Sequence, residues 1–217
     1  MRQSSDQSFR CSTAHPQGHI EPISWHLPRN HLVFIDAHLD AGDLYIRIWV
    51  CPRDPLARSG GWGYLIGDEG GGYWLGLQTL KAATSMADGF EEKTELYQKI
   101  FHHLNISHPD DLISWTYNPM TTNREIAQIS ELVIEVASSG DPVATKIVES
   151  AAEHLFQLYQ NLVERLNFID PPVMFAGGLL TSETILQKIL MKKIGLNDVP
   201  IPKYSPVAGA ALMAQKL

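Results

Sequence analysis

Half of the glycines in this chain fall within one stretch of seventeen residues. The run GGWGYLIGDEGGGYWLG, residues 60–76, carries glycines 60, 61, 63, 67, 70, 71, 72 and 76, eight of the sixteen in the whole chain. Glycine permits positive φ and lets backbone approach a ligand closely. Asp68 and Glu69 sit at the centre of the run, and Trp62, Tyr64, Tyr73 and Trp74 flank it. Aromatic faces beside a fixed carboxylate suit a polyhydroxylated ligand. The carboxylate accepts hydrogen bonds from hydroxyls, and the rings cover the apolar C–H face. A glycine-rich turn with solvated acids and core aromatics would leave the same composition. The run contains neither G-x-x-x-x-G-K-[ST] nor a G-x-G-x-x-G placed between a strand and a helix, so it is not a P-loop or a dinucleotide fingerprint.

The rest of the composition narrows the class. At 217 residues the chain has room for one ordinary domain or two small ones, and not for two full α/β lobes. With 44% apolar residues it can build a sizeable core. No stretch approaches the roughly 18 apolar residues of a membrane span. A net charge of −7 argues against a global affinity for nucleic acid or anionic lipid. Only two cysteines occur, Cys11 and Cys51, too few for a disulfide framework or a Cys-rich metal site. The first eight residues lack the apolar core of a signal peptide, and the expectation is a cytoplasmic protein. His15, His19, His26, His31 and His38 fit no finger or metalloprotease spacing and read as surface histidines.

Along the chain, residues 1–31 are polar without periodicity and predict an irregular arm. Two short strands follow, at 32–35 and 44–50. From residue 74 the pattern is mainly helical. One helix runs from Trp74 to about Ala87, with Gly89 beyond it. A second covers 91–104, with Leu96, Tyr97, Ile100, Phe101 and Leu104 on one stripe. Thr122 and Glu125 form a capping box for a helix to about Ala137. Asp141 and Pro142 are an N-cap and an N1 proline opening a long helix. Val173–Ala176 reads as a buried strand, Gly177-Gly178 as a tight turn, and the segment from near Ser182 to Ile194 as a helix closed by Gly195. A last helix, 207–216, is rich in small residues. A strand, a Gly pair and a helix start bring backbone N–H groups and a helix dipole together, which suits a phosphate or nucleotide. An ordinary βα turn has the same pattern.

Taken together and in this order, residues 60–74, Phe175–Leu179 and Ser205–Leu212 resemble the BadF/BadG/BcrA/BcrD ATPase family, and within it the N-acetylglucosamine kinase branch. The resemblance implies an α/β fold, the C-terminal lobe of an actin-like (ribonuclease H-like) ATPase, over residues 57–217. Residues 1–56 would then be a truncated or rearranged N-terminal segment. By the same resemblance Gly61, Trp62 and Gly63 line a sugar site and Asp68 accepts hydrogen bonds from sugar hydroxyls. Gly177 and Gly178 approach the adenosine of ATP. The segment Val33–Ala37 resembles the one bearing the catalytic acid, which makes Asp36 a candidate general base. A strand-end acid capping a turn is the competing account of Asp36.

The resemblance implies ATP and Mg²⁺ as cofactors, an amino sugar such as N-acetylglucosamine as substrate, and leaves a homodimer open. No metal ligands stand out. Two departures bear on activity. No Asp-Gly-Gly-Gly-Thr-like loop occurs in residues 1–56, and the place of a second, Gly-Thr-Gly-Ser-like loop is taken by Leu44–Leu56, which holds neither Gly nor Thr. Gly71 also stands where the family usually has Ser. Phosphoryl transfer rests on positioning and on neutralising the phosphoryl oxygens, so loss of both loops predicts a weak or inactive kinase. The alternatives are a non-catalytic sugar-binding remnant, with a displaced start as one origin, and an interaction domain.

Overall fold

The segment expected to be irregular pairs with itself. In the computed structural model, residues 11–15, 18–23, 32–36, 47–51 and 57–200 are described, with side chains given for Ile35 and for 58–200. Strand β1 (Cys11–His15) runs antiparallel to β2 (Gly18–Ile23), with Thr13 opposite Ile20, Ala14 opposite His19 and His15 opposite Gly18. A ladder of backbone hydrogen bonds needs no apolar alternation, so periodicity does not reveal such a hairpin. His15 and His19 are backbone positions of this ladder, paired with Gly18 and Ala14, whereas His26, His31 and His38 lie outside the described residues.

The principal sheet has four strands. β3 (Leu32–Asp36), β4 (Arg47–Cys51) and β5 (Ala57–Ser59) form an antiparallel meander. Beyond them in the chain come α1 (Gly72–Ala87), α2 (Glu95–His103), α3 (Asp111–Thr116), α4 (Asn123–Ser138) and α5 (Pro142–Arg165). Strand β6 (Val173–Ala176) then joins parallel to β3, giving the order β5-β4-β3-β6. The sheet therefore crosses the boundary expected between residues 56 and 57, because strand pairing joins segments that sequence composition separates. On its other side β6 receives the carbonyl of Pro200, which accepts from the Phe175 amide at 2.9 Å. The one-turn α6 (Gly178–Thr181) and α7 (Ile185–Ile194) complete the described elements.

Local chemistry explains the helix starts. The Thr122 hydroxyl accepts from the Glu125 amide at 3.3 Å, and the Glu125 carboxylate accepts from the Thr122 amide at 2.7 Å, the reciprocal arrangement the spacing predicts. Asp141 caps α5 by accepting from the amides of Val143 (3.0 Å) and Ala144 (2.9 Å). The same carboxylate accepts from the Leu96 amide at 3.1 Å and so ties α2 to α5. Burial pushes the Asp141 carboxyl up, but bonds from Ala144, Thr94, Leu96 and Val143 outweigh it and hold the group below its ordinary range.

The helix expected from near Ser182 starts at Ile185, and a separate one-turn helix precedes it. Gly178–Thr181 makes a single turn, Ser182 returns to extended backbone (ψ 155), and Thr184 caps α7 by accepting from the Gln187 amide at 3.0 Å. A Thr hydroxyl three residues before a donor amide starts a helix more strongly than a Ser that lacks such a partner. α7 ends on Gly195 at φ 87, as expected. The helix expected at 207–216 lies outside the described residues.

Helix α5 lies against β3, β4 and β5 and carries the core. Its residues Val148, Ala151, Ala152, Leu155 and Leu162 are fully buried with Ile35 and Phe175 of the sheet and Leu186 and Leu190 of α7. Burying a side chain of leucine size is worth about 1.5–3 kcal/mol. A second cluster joins Leu80 and Ala83 of α1 to Ile100, Leu112, Ile126 and Ile129. The two clusters meet at the α1–α4 crossing. There Gly76 lies so close to α4 that a β carbon on it would be 1.9 Å from the carbonyl oxygen of Ile126. Only a residue without a side chain permits that approach.

Candidate functional site

Strand direction decides what this sheet presents. β3, β5 and β6 run the same way and β4 runs opposite, so the carboxyl ends of those three share one edge. In register, Ser59 faces Ile48, Ile48 faces Ile35, and Ile35 lies beside Phe175. Three segments singled out in the sequence leave from that edge. Asp36 closes β3, the loop from Gly60 follows β5, and Gly177-Gly178 follows β6. Asp36 pairs with Ala176 on the adjacent strand, about 4.8 Å away, and β5 stands two strands over, about 10 Å. The crevice outside such carboxyl ends is where open α/β sheets bind ligands. The Asp36 side chain lies outside the described residues.

The loop after β5 is a tight reversal. Gly63 accepts from the amides of Ile66 (3.2 Å) and Gly67 (3.0 Å), and Gly63 and Gly67 form an antiparallel bridge. This places Gly61, Trp62 and Gly63 together on one arm. Trp62 stays 65% exposed, with the Arg58 guanidinium 4.5 Å from its ring centroid. The Trp62 β carbon rests where Gly67 has none, since a β carbon at Gly67 would come within 2.8 Å of it.

The other arm turns inward. Asp68 is only 2% exposed, so it is not the solvated acid that a bland glycine-rich turn would carry. Its carbonyl accepts from the Gly71 amide at 2.9 Å, and a β carbon at Gly71 would lie 2.8 Å from its Oδ2. The carboxylate therefore sits at the amino end of α1, where the helix dipole favours negative charge. The absence of Ser at position 71 has a local consequence: α1 has no side-chain cap, and the space is taken by the Asp68 carboxylate. Tyr73 stands near it and stacks edge-on with Tyr64, centroids 5.1 Å apart. Burial first, then the Tyr64 and Asp68 charges, push the Tyr73 hydroxyl above its ordinary range. The exposed Trp62 indole and the Tyr64 and Tyr73 rings line the outside of the turn, with the Asp68 carboxylate buried beneath it.

At the far side of the edge, Gly177 adopts φ 80, ψ 152, a conformation open to glycine almost alone. Its carbonyl accepts from Leu180, Thr181 and the Thr181 hydroxyl. The helix dipole expected behind this Gly pair is reduced to the single turn of α6. Among the described residues, no three His, Cys, Asp or Glu stand close enough to hold a metal ion. No helix among them is long and apolar enough to cross a membrane. Sequence reasoning missed Arg58, Asn161 and Arg165, which brace the outer arm of the loop. They come together across 107 residues of chain, so no local motif signals them.

Known proteins resemble this chain in sequence and in fold. The profile of the BadF/BadG/BcrA/BcrD ATPase family matches residues 51–214. An N-acetyl-D-glucosamine kinase of Dictyostelium discoideum is 35% identical over 165 residues, 72% of this chain and 52% of that relative. An N-acetylmuramic acid/N-acetylglucosamine kinase of Clostridium acetobutylicum is 37% identical over 165 residues, 73% of this chain and 54% of the relative. The chain thus spans about half the length of the curated relatives it matches. A crystal structure of a protein assigned as an N-acetylglucosamine kinase from Chromobacterium violaceum superposes with a TM-score of 0.62 at 21% identity, over 85% of this chain and 59% of that one. Another so assigned, from Porphyromonas gingivalis, gives 0.59 at 17% identity, over 87% and 61%. These likenesses bear out the fold expected from sequence, an actin-like ATPase lobe. With a family profile matched over most of its length, the chain belongs to the BadF/BadG/BcrA/BcrD ATPase family.

Proposed function

We propose that the chain is an ATP-dependent amino-sugar kinase domain with N-acetylglucosamine as the acceptor class, its acceptor side intact and its phosphate side weak. The supporting observation is the shared sheet edge, from which the Asp36 end of β3, the Gly60–Gly71 loop and Gly177-Gly178 all depart. The two sequence relatives carry kinase activities on such sugars by name.

In this reading the sugar rests on Trp62, with Gly61 and Gly63 letting the backbone approach its ring. Asp68, at the start of α1, accepts hydrogen bonds from sugar hydroxyls and orients the sugar. Asp36 takes the proton from the attacking hydroxyl as general base. Gly177 and Gly178 admit the nucleotide base without side-chain obstruction. Mg²⁺, arriving on the phosphates, would supply charge neutralisation of the transferring group; it is a hard ion that keeps several waters and needs few protein ligands. Residues 1–56 hold no Asp-Gly-Gly-Gly-Thr-like loop and Leu44–Leu56 no Gly-Thr-Gly-Ser-like loop to cradle those phosphates, so orientation of the acceptor outruns activation of the donor.

A coupled ATPase assay with N-acetylglucosamine tests the pair of statements. The expectation is saturable sugar-dependent turnover more than tenfold below a full-length relative. Turnover within tenfold would remove the claim of impairment. Sugar binding by calorimetry with no turnover at all would favour the second reading, a sugar-binding domain without transfer, for which the completeness of the acceptor loop is the supporting observation.

A further inference from the structure

The exposed indole at the mouth of the loop is not held by the loop alone. Arg58 ends its guanidinium over the Trp62 ring, 4.5 Å from the centroid, and its Nη1 donates to the Gly61 carbonyl at 3.3 Å. One side chain therefore grips both the backbone before Trp62 and the face of its ring. Arg58 is itself gripped from α5. Nη1 of Arg165 donates to the Arg58 carbonyl at 3.3 Å and to Oδ1 of Asn161 at 3.3 Å. The same Asn161 oxygen accepts from the Ser59 hydroxyl at 3.3 Å. The last two turns of the long helix thus clamp β5 and, through it, the loop.

We propose that Arg58 and Arg165 form a strut that sets the orientation of Trp62 and the Gly61 corner, making both positioning residues for the acceptor site. The inference rests on the reading of that loop as the sugar site only for its effect on affinity; the strut itself is a statement about Trp62. Three features argue for positioning over general stability. Both arginines and Asn161 are exposed, so their loss empties no core. Guanidinium geometry matters, because a planar fork donates to Gly61 while lying over the ring, which a lysine ammonium cannot do as one rigid unit. Arg165 touches neither Trp62 nor the loop, yet it fixes the backbone from which Arg58 projects.

The test uses the full chain and three variants, Arg58→Met, Arg58→Lys and Arg165→Met, each also made with Trp62→Phe. Subtracting the Phe partner isolates Trp62 emission from the other four tryptophans. Acrylamide quenching of that emission reports cover on the indole. Removing the guanidinium in Arg58→Met should raise the quenching constant about 1.5-fold and weaken N-acetylglucosamine binding about two- to fivefold, with the thermal midpoint unchanged. Arg165→Met should move both readouts in the same direction by less, and Arg58→Lys, whose ammonium cannot hold Gly61 and cover the ring together, should recover only a minor part of each. Unchanged quenching in Arg58→Met, or a fall in thermal midpoint that tracks the affinity loss in all three, overturns the strut. Should the unmodified chain bind no amino sugar, the functional reading fails and the quenching comparison still decides the strut.

Discussion

The two arms of the glycine-rich run share a composition and do opposite things. From Trp62 to Ile66 the chain faces solvent: Trp62, Leu65 and Ile66 are 65, 78 and 74% exposed. From Gly67 to Gly76 it faces the interior, with Asp68 at 2% and Leu75 at 0%. Glycines on the outer arm turn the backbone through positive φ, 70° at Gly61 and 91° at Gly63. On the inner arm they are where α1 touches α4 and α5 with no room for a side chain. At Gly70 a β carbon would lie 2.8 Å from Leu155 Cγ and 2.9 Å from the Ala151 carbonyl. A dense glycine run is therefore two different statements joined end to end, one about turning at the surface and one about packing.

Substitutions can break this contrast, and Gly76→Ala should do so most severely. Its β carbon would meet the Ile126 carbonyl at 1.9 Å, forcing α1 and α4 apart, and the expected loss is at least about 3 kcal/mol in denaturant unfolding. A variant as stable as the parent would show that the crossing relaxes freely. Gly70→Ala adds a crowded contact to positive φ (94°) and should cost about 2–3 kcal/mol.

Asp141 offers a yardstick away from the run. Asp141→Ala removes three amide acceptances and should cost about 2 kcal/mol. Because its folded-state pKa lies below the ordinary 3.8, its charge stabilises the fold above that pH, and the contribution disappears as pH falls through the lower folded value. The stability gap to Asp141→Asn should thus be constant from neutral pH to about 4 and close only below 3.8. A gap that closes nearer pH 6 would point to another group.

Two smaller effects sharpen the functional side. Asp68→Asn should weaken N-acetylglucosamine binding by more than about 1 kcal/mol, since a charged acceptor is lost. Unchanged affinity in calorimetry takes Asp68 out of the site. Trp62→Ala should leave unfolding within about 0.5 kcal/mol of the parent while reducing sugar affinity. If it destabilises as much as Gly70→Ala, the outer arm is structural after all and the contrast collapses.

What could be read in advance follows the range of the interactions. The capping box at Thr122 and the Asp141-Pro142 start are chemistry within four residues, and they stand where the spacing puts them. The start of α7 lies three residues beyond Ser182, because Thr184 rather than Ser182 supplies the cap, and the single turn of α6 carries no periodicity to announce it. Strand β5 and the β1–β2 hairpin are short and lack apolar alternation, so only their partners define them. In the site, the membership of Gly61, Trp62, Gly63 and Asp68 in one loop was evident from their succession. The burial of Asp68 was not, since it depends on α1 docking against α5. Nor was the nearness of Asp36 to Gly177, which depends on a strand pairing that local pattern cannot encode.

That pairing has a kinetic side. Val33 lies beside Val173, with nearly all of the helical sequence between them. Contacts of such separation are slow to form, because the loop must close before it is rewarded. During synthesis the β3–β4–β5 meander emerges early and waits, with the β3 edge open, until α1 to α5 have been made and β6 follows. An unpaired edge of this sort is a template for misassociation in crowded translation. Since Asp36 and Gly177 meet only when β6 docks, the shared carboxyl edge is among the last features to mature, and a nascent chain halted before residue 173 would have the Gly60–Gly71 loop without Gly177-Gly178 beside it.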